Sequence, residues 1–344
     1  MHAKNFHDTT MMVSMSSLSS LQDLLKGPAS TSSDKEVQAK LVADTHCILG
    51  ECILFDEQAQ TVWWTDIDGR ALYRMTISNG AIHMHHKIKL PKMVGAFCFT
   101  SQPHVLLLGW EDGFQLYDWQ KQEAIGEYSS GEVVNPRGYP SRLNDGRCSG
   151  NAFICGGFYG DIQDCKVKVY SVTLDKDKKL QHAPILDNIQ VTNSLAFDDN
   201  KLFFCDSPTK QIHVYDYTDG GIPSSPCLLY TWPDVGFPDG SCVDSEGFLW
   251  NCIWRKGSGP GRVQRLDPTT GKVDYIVHMP DTTSQVTCCC FGGTDLDVLF
   301  ISTASIDRNL QKEQNAGAVY AVKVPFTGRP ERRFDLQGLL WTNV

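Results

Sequence analysis

The chain has 344 residues, 41% of them hydrophobic, and a formal net charge of −9. Length and composition are ordinary for a soluble globular protein with a large core. The acidic balance argues against nucleic acid and anionic membrane partners, and no apolar run approaches the ~20 residues of a membrane span.

In chain order, residues 1–36 differ from the rest. Ser, Thr and Met are dense, and Gly27-Pro28 is followed by Ser30-Thr31-Ser32-Ser33. This segment reads as a disordered leader. A transit peptide is the alternative, weakened by Asp8, Asp23 and the absence of arginine. The thirteen cysteines do not read as a disulfide framework. Cys155, Cys205 and Cys252 fall inside expected strands, and Cys288, Cys289 and Cys290 are consecutive, as small packing groups are. That usage suits a reducing compartment, so the expected location is cytoplasmic, with an organellar address through the leader as alternative.

From residue 37 to 344 one domain is expected, and the pattern is strand, turn, strand. Six times a continuously apolar run precedes an alternating one. Val62-Trp63-Trp64 leads to Ala71-Leu72-Tyr73-Arg74, and Val105-Leu106-Leu107-Leu108 to Phe114-Gln115-Leu116-Tyr117. Phe153-Ile154-Cys155 and Leu202-Phe203-Phe204-Cys205 open the next two, Phe248-Leu249-Trp250 and Val298-Leu299-Phe300-Ile301 the last two. Continuous runs suit strands buried on both faces, and alternating runs suit half-buried ones. Asp68-Gly69, Asp112-Gly113, Asp219-Gly220 and Thr270-Gly271 mark turns. Six repeats of this kind predict an all-β, six-bladed β-propeller with four-stranded blades. The alternating segment Val37–Val42 is expected to join the sixth blade and close the ring, because an open ring exposes edges.

One column of residues is in phase with the repeats. Glu51, Gly95, Asn144, Asn193, Asp239 and Thr287 each stand four residues before Phe55, Phe99, Cys148, Phe197, Val243 and Phe291, at intervals of 44 to 49 residues. In a propeller this column falls on the innermost strands and becomes a ring at the channel mouth. Asn or Asp beside Gly often only makes a turn. Glu51 has no such role, and four coordinating residues in phase point to a shared polar site. Carboxylate and amide oxygens suit a hard divalent cation, calcium first, with magnesium, manganese or catalytic zinc open. Arg142 stands two residues before Asn144, so both could face the channel. Gly257-Ser258-Gly259-Pro260-Gly261 reads as a hairpin loop, and His83, His85 and His86 as a solvated strand edge. No GxSxG or HExxH motif occurs.

Leu49-Gly50-Glu51, Arg142-Leu143-Asn144-Asp145-Gly146, Asn193-Ser194-Leu195, Asp206-Ser207-Pro208 and Pro238-Asp239-Gly240 resemble motifs of the gluconolactonase/regucalcin (senescence marker protein) family, in order from about residue 42 to 325. The resemblance implies a six-bladed propeller that hydrolyses lactones of sugar acids with one divalent metal near the channel mouth. It implies Glu51, Asn193 and Asp239 as metal ligands, Arg142 and Asn144 as substrate-contacting residues, and Asp239 as general base. Two departures stand out. Ser194 occupies a position where the family often has Gly. A substrate-binding Glu that some animal members carry after the third apolar strand is absent, and Asp161 is the nearest carboxylate. A non-catalytic calcium- or ligand-binding propeller and a paraoxonase- or strictosidine-synthase-like propeller are the alternatives. The expected partner is a small lactone, and the sequence names neither the lactone nor an oligomeric state.

Overall fold

The structure, a computed structural model, describes residues 35–78, 81–130, 141–160, 166–257, 259–280 and 283–337. Nearly all of the expected leader, and Asp161, lie outside the described residues.

The described chain is almost entirely strand. Two short strands come first, β1 (Glu36–Gln38) and β2 (Lys40–Ala43). Blade one is β3 (Gly50–Asp56), β4 (Thr61–Asp66), β5 (Ala71–Ser78) and β6 (Ala81–Lys89). Blade two is β7 (Val94–Phe99), β8 (Val105–Trp110), β9 (Gly113–Asp118) and β10 (Glu123–Ser130). Blade three is β11 (Ser141–Cys148), β12 (Phe153–Tyr159), β13 (Val167–Leu174) and β14 (Leu180–Ile189). Blade four is β15 (Thr192–Asp198), β16 (Lys201–Asp206), β17 (Gln211–Asp216) and β18 (Ser224–Thr231). Blade five is β19 (Phe237–Val243), β20 (Leu249–Trp254), β21 (Arg262–Leu266) and β22 (Val273–His278). Blade six has only β23 (Val286–Gly292), β24 (Val298–Thr303) and β25 (Val319–Lys323) from its own repeat. Each blade is an antiparallel meander from the innermost strand outward, and the six stand in a ring, as the repeat predicts.

The continuously apolar runs are the second strands. β4, β8 and β24 are buried at every residue, because each is covered by the neighbouring blades on both faces. Aromatic pairs join the blades: Phe55 stacks on Phe300 at 6.4 Å, and Trp250 meets Phe291 edge-on at 5.4 Å. Each such side chain stabilises by about 1.5–3 kcal/mol through burial alone. His83, His85 and His86 lie on β6, the outermost strand of blade one, where His86 is exposed.

Closure follows the expectation and adds to it. β2 pairs antiparallel with β25, supplying the fourth strand of blade six. β1 turns instead to blade five, pairing parallel with β22 as a fifth strand. One segment therefore ties two blades, with Val37 and Leu41 packed on the same cluster as Tyr275, Val277 and Tyr320.

The C-terminal segment was not anticipated. Gly328 bridges Asp244 of blade five, and Arg329 binds Asp198 of blade four at 2.6 Å. Glu331 forms a bidentate ion pair with Arg147 of blade three. Arg333 reaches Asp56 of blade one, and Phe334 pairs with Thr100, just after β7 of blade two. These partners lie at or near the ends of the innermost strands. The segment thus covers one end of the channel, while the column lies at the strand starts, at the other end. Among the described residues no helix is long and apolar enough to cross a membrane.

A chain beginning at Lys35 and one beginning at Asp44 should differ clearly in thermal stability. The shorter one loses both strands that join blades five and six, a cost of several kcal/mol and so on the order of 10 °C. Equal melting temperatures would overturn the closure described here.

Candidate active site

The six innermost strands share one irregularity. The ladder to the second strand is interrupted between Glu51 and Leu54, Val94 and Ala96, Leu143 and Gly146, Asn193 and Ala196, Pro238 and Ser241, and Val286 and Cys289. The column residues lie at this level in every blade. A bulge bends the strand and re-aims its side chains, and repetition turns six bulges into one ring. Cys52 and Ser194, each following a column residue, adopt positive φ of 48° and 60°. That explains why glycine suits position 194. Here the strain, about 1 kcal/mol for a side chain, accompanies two hydrogen bonds. The Ser194 hydroxyl donates to the Asp239 carbonyl at 2.7 Å and accepts from Asn251 at 3.0 Å.

The structure brings Glu51, Asn144, Asn193 and Asp239 to the wall of a single cavity of about 570 Å³, together with Arg142. All four column residues are buried, with Asp239 only 4% exposed. Gly95 and Thr287 do not line it. A Cβ at Gly95 would lie 2.2 Å from the Leu143 carbonyl oxygen, so no side chain fits there. Thr287 turns its hydroxyl to the Gly50 carbonyl instead.

A second ring lies one layer outward, two residues before the column. Leu49, Arg142, Val191, Phe237 and Gln285 all line the cavity, and of this set only Met93 does not. The i, i+2 relation that aligned Arg142 with Asn144 thus holds around the mouth. Arg142 and Gln285 come from blades three and six, on opposite sides. The Arg142 guanidinium lies 4.6 Å from the Phe158 ring centroid, a cation–π contact. Gln285 donates through Nε2 to the Ile306 carbonyl at 2.9 Å. Trp254 at the end of β20, and loops carrying Lys256 and residues 306–308, complete the wall. Arg308 ties two of these loops, donating to the carbonyls of Ile306 and Lys256. Phe237 and Gln285 were findable from the two-residue offset. Phe158, Trp254, Lys256 and Arg308 carry no periodic signal.

A directional hydrogen-bond chain orders the polar wall. Arginine only donates, so Asn144 must show Oδ1 to Arg142, at 2.5 Å. Its Nδ2 then donates to Asn193 Oδ1 at 3.1 Å and to the Thr192 carbonyl at 2.8 Å. Asn193 Nδ2 donates to Ser207 Oγ at 2.8 Å, and Ser207 spends its one proton on the Pro238 carbonyl at 2.7 Å. Both amides are therefore fixed in orientation. Asn144 has its oxygen engaged by a cation, whereas Asn193 Oδ1 keeps a lone pair.

The electrostatics are those of carboxylates crowded together away from water. Burial first, then the nearby Asp145, pushes Glu51 up to about 8. Burial, then Glu51 and Asp145, raises Asp239 well above the usual carboxylate range. Asp145, whose carboxylate accepts the Leu195 N–H at 2.9 Å, is raised to about 6 by burial. Burial also lowers Arg142, opposed by Asp68, Glu51 and Asp239. Two carboxylates and an oriented amide oxygen are hard donors that fit a divalent cation with water completing its shell. Among the described residues no group of three or more His, Cys, Asp and Glu side chains is disposed to hold a metal. Any such site must therefore draw on amide oxygen and water. Eleven of the twelve described cysteines are buried, all are free thiols, and none of them lines the cavity.

A family model described as SMP-30/Gluconolactonase/LRE-like region matches residues 49–305. An L-arabinolactonase of Azospirillum brasilense is 31% identical, over 86% of this chain and 95% of that one. Regucalcin of Danio rerio is 26% identical, over 80% of this chain and 90% of that one. In structure, a calcium-binding protein, regucalcin, from Agrobacterium tumefaciens superposes with a TM-score of 0.74. It is 24% identical and covers 87% of this chain and 98% of its own. The matched span holds all six bulged strands and every residue of the polar ring, and on it the chain belongs to the SMP-30/gluconolactonase family.

Proposed function

We propose that this chain hydrolyses the ring ester of a sugar-acid lactone to the open hydroxy acid. In this reading one divalent cation, calcium first, is held by Glu51, Asn193 and Asp239. Relatives along nearly their whole length are named as lactonases. The observation that carries the reading is the meeting of two buried carboxylates and an oriented amide oxygen beside Arg142 in one cavity.

A cation held by Glu51, Asn193 and Asp239 would supply Lewis-acid polarisation of the lactone carbonyl. Asp239 takes a proton from the attacking water as the water oxygen bonds to the carbonyl carbon. When the ring C–O bond breaks, the same carboxyl returns the proton to the departing hydroxyl oxygen. Arg142 keeps its charge and donates to the developing oxyanion, held in place by Asn144 Oδ1 and the Phe158 face. The apolar members of the second ring, Leu49, Val191 and Phe237, exclude water around the reacting centre and strengthen these interactions.

Cation binding must displace protons that burial holds on Glu51 and Asp239. The apparent affinity should therefore rise with pH through the Glu51 value of about 8, by about tenfold per unit for each proton released. Titration calorimetry in buffers of different ionisation enthalpy measures both the affinity and the protons. A pH-independent affinity with no proton release would remove these carboxylates from the site. In the same assay Glu51→Gln, Asn193→Ala and Asp239→Asn should each weaken binding of one ion per chain.

Arg142→Ala separates enzyme from binder. It should keep the cation and lose lactone hydrolysis by about 10²-fold or more, measured on a panel of aldonolactones with and without added divalent ions. Wild-type rates in this variant would remove Arg142 from the reaction. Absence of cation-dependent turnover in the wild type would leave a non-catalytic binder.

A further inference from the structure

Each of the three residues proposed to hold the cation follows a backbone carbonyl that the preceding blade grips. Thr287 Oγ1 of blade six donates to the Gly50 carbonyl at 2.5 Å, next to Glu51. Asn144 Nδ2 of blade three donates to the Thr192 carbonyl, next to Asn193. Ser207 Oγ of blade four donates to the Pro238 carbonyl, next to Asp239. A fourth copy exists where no ligand follows: Thr65 Oγ1 of blade one donates to the Val94 carbonyl at 3.0 Å, next to Gly95.

Asn144 and Ser207 also line the cavity, so their effects would mix. Thr287 does not line it and is fully buried. With its one proton on the Gly50 carbonyl, the hydroxyl accepts from Ser302 Oγ at 2.8 Å. The Glu51 backbone sits where the β3–β4 ladder is interrupted, with Cys52 left-handed behind it. A grip from the neighbouring blade therefore bears directly on where the Glu51 carboxylate lies.

Resting on the divalent-cation reading above, we propose that Thr287 is a positioning residue: its hydroxyl, through the Gly50 carbonyl, sets Glu51 for the cation and so sets the affinity. A threonine without ligand power acts on the ion through one peptide unit. Outer partners of ligands commonly change metal affinity 10- to 100-fold when removed.

The test compares Thr287→Val with Thr65→Val, which removes the same grip ahead of Gly95. Both full-length variants are stripped with chelator, and calcium and manganese chlorides are titrated in by calorimetry, with melting temperatures of the metal-free proteins beside them. Both variants should melt a few degrees lower. Thr287→Val should weaken cation binding by roughly tenfold, less than Glu51→Gln, while Thr65→Val stays within roughly twofold of wild type. Thr287→Ser should restore most of the affinity. Unchanged affinity in Thr287→Val, or equal weakening in Thr65→Val, overturns the proposal while leaving the cation site standing. A wild-type protein that binds neither ion overturns the cation reading and this proposal with it.

Discussion

A Cβ added at Gly95 would lie 2.2 Å from the carbonyl oxygen of Leu143, and one at Gly240 would lie 2.7 Å from the sulfur of Cys288. The innermost strands approach one axis so closely that side chains along it must be small, absent or turned along the channel. Most of the composition near the axis follows from this crowding. The run Cys288–Cys290, with Cys52, Cys148 and Cys242, supplies compact, weakly polar groups where bulkier ones do not fit. At the one level where the ladders are bulged the strands bend, and larger polar side chains gain a cavity to enter.

Within that cavity the polarity of one hydrogen-bond chain decides what each amide offers. The chain begins at a group that only donates, Arg142, and ends at one that only accepts, the Pro238 carbonyl. Everything between is forced into one orientation. Asn144 becomes a partner of arginine and Asn193 keeps a lone pair on its oxygen, although the two residues are chemically identical. The same chain ends one residue from Asp239, so Arg142 and Asp239 are mechanically joined.

Burial gives the site its tension. Glu51, Asp239 and Asp145 are held together away from water, and each is pushed toward its neutral form. Arg142 relieves part of that penalty on Glu51 and Asp239, and an oxygen-seeking cation would relieve more. The C-terminal segment keeps the opposite end of the channel covered through Arg147–Glu331 and Arg333–Asp56. Substrate access is thereby left to the end where the two rings and the loops meet.

The repeat architecture was legible in the sequence because each blade must bury one strand on both faces and another on one. The polar ring was legible because equivalent positions in equivalent blades meet at one axis: a period of 44 to 49 residues places Glu51, Asn144, Asn193 and Asp239 at one level. The second ring was half legible, since Arg142 was read from its offset while Phe237 and Gln285, at the same offset, were not. Other features depended on tertiary structure alone. Loops follow no period, so Lys256 and Arg308 reach the mouth only through packing. The split of residues 36–43 between two blades depends on where two outer edges come together. The tail's crossing depends on charged partners such as Asp198, Arg147 and Asp56, which are far apart in sequence. The amide orientations required knowing which donor faces which acceptor. Sequence by itself determined the symmetry and the residue types of the site, because both repeat with the blades. Tertiary structure decided direction, access and outer wall, because those arise from contacts between segments that share no repeat.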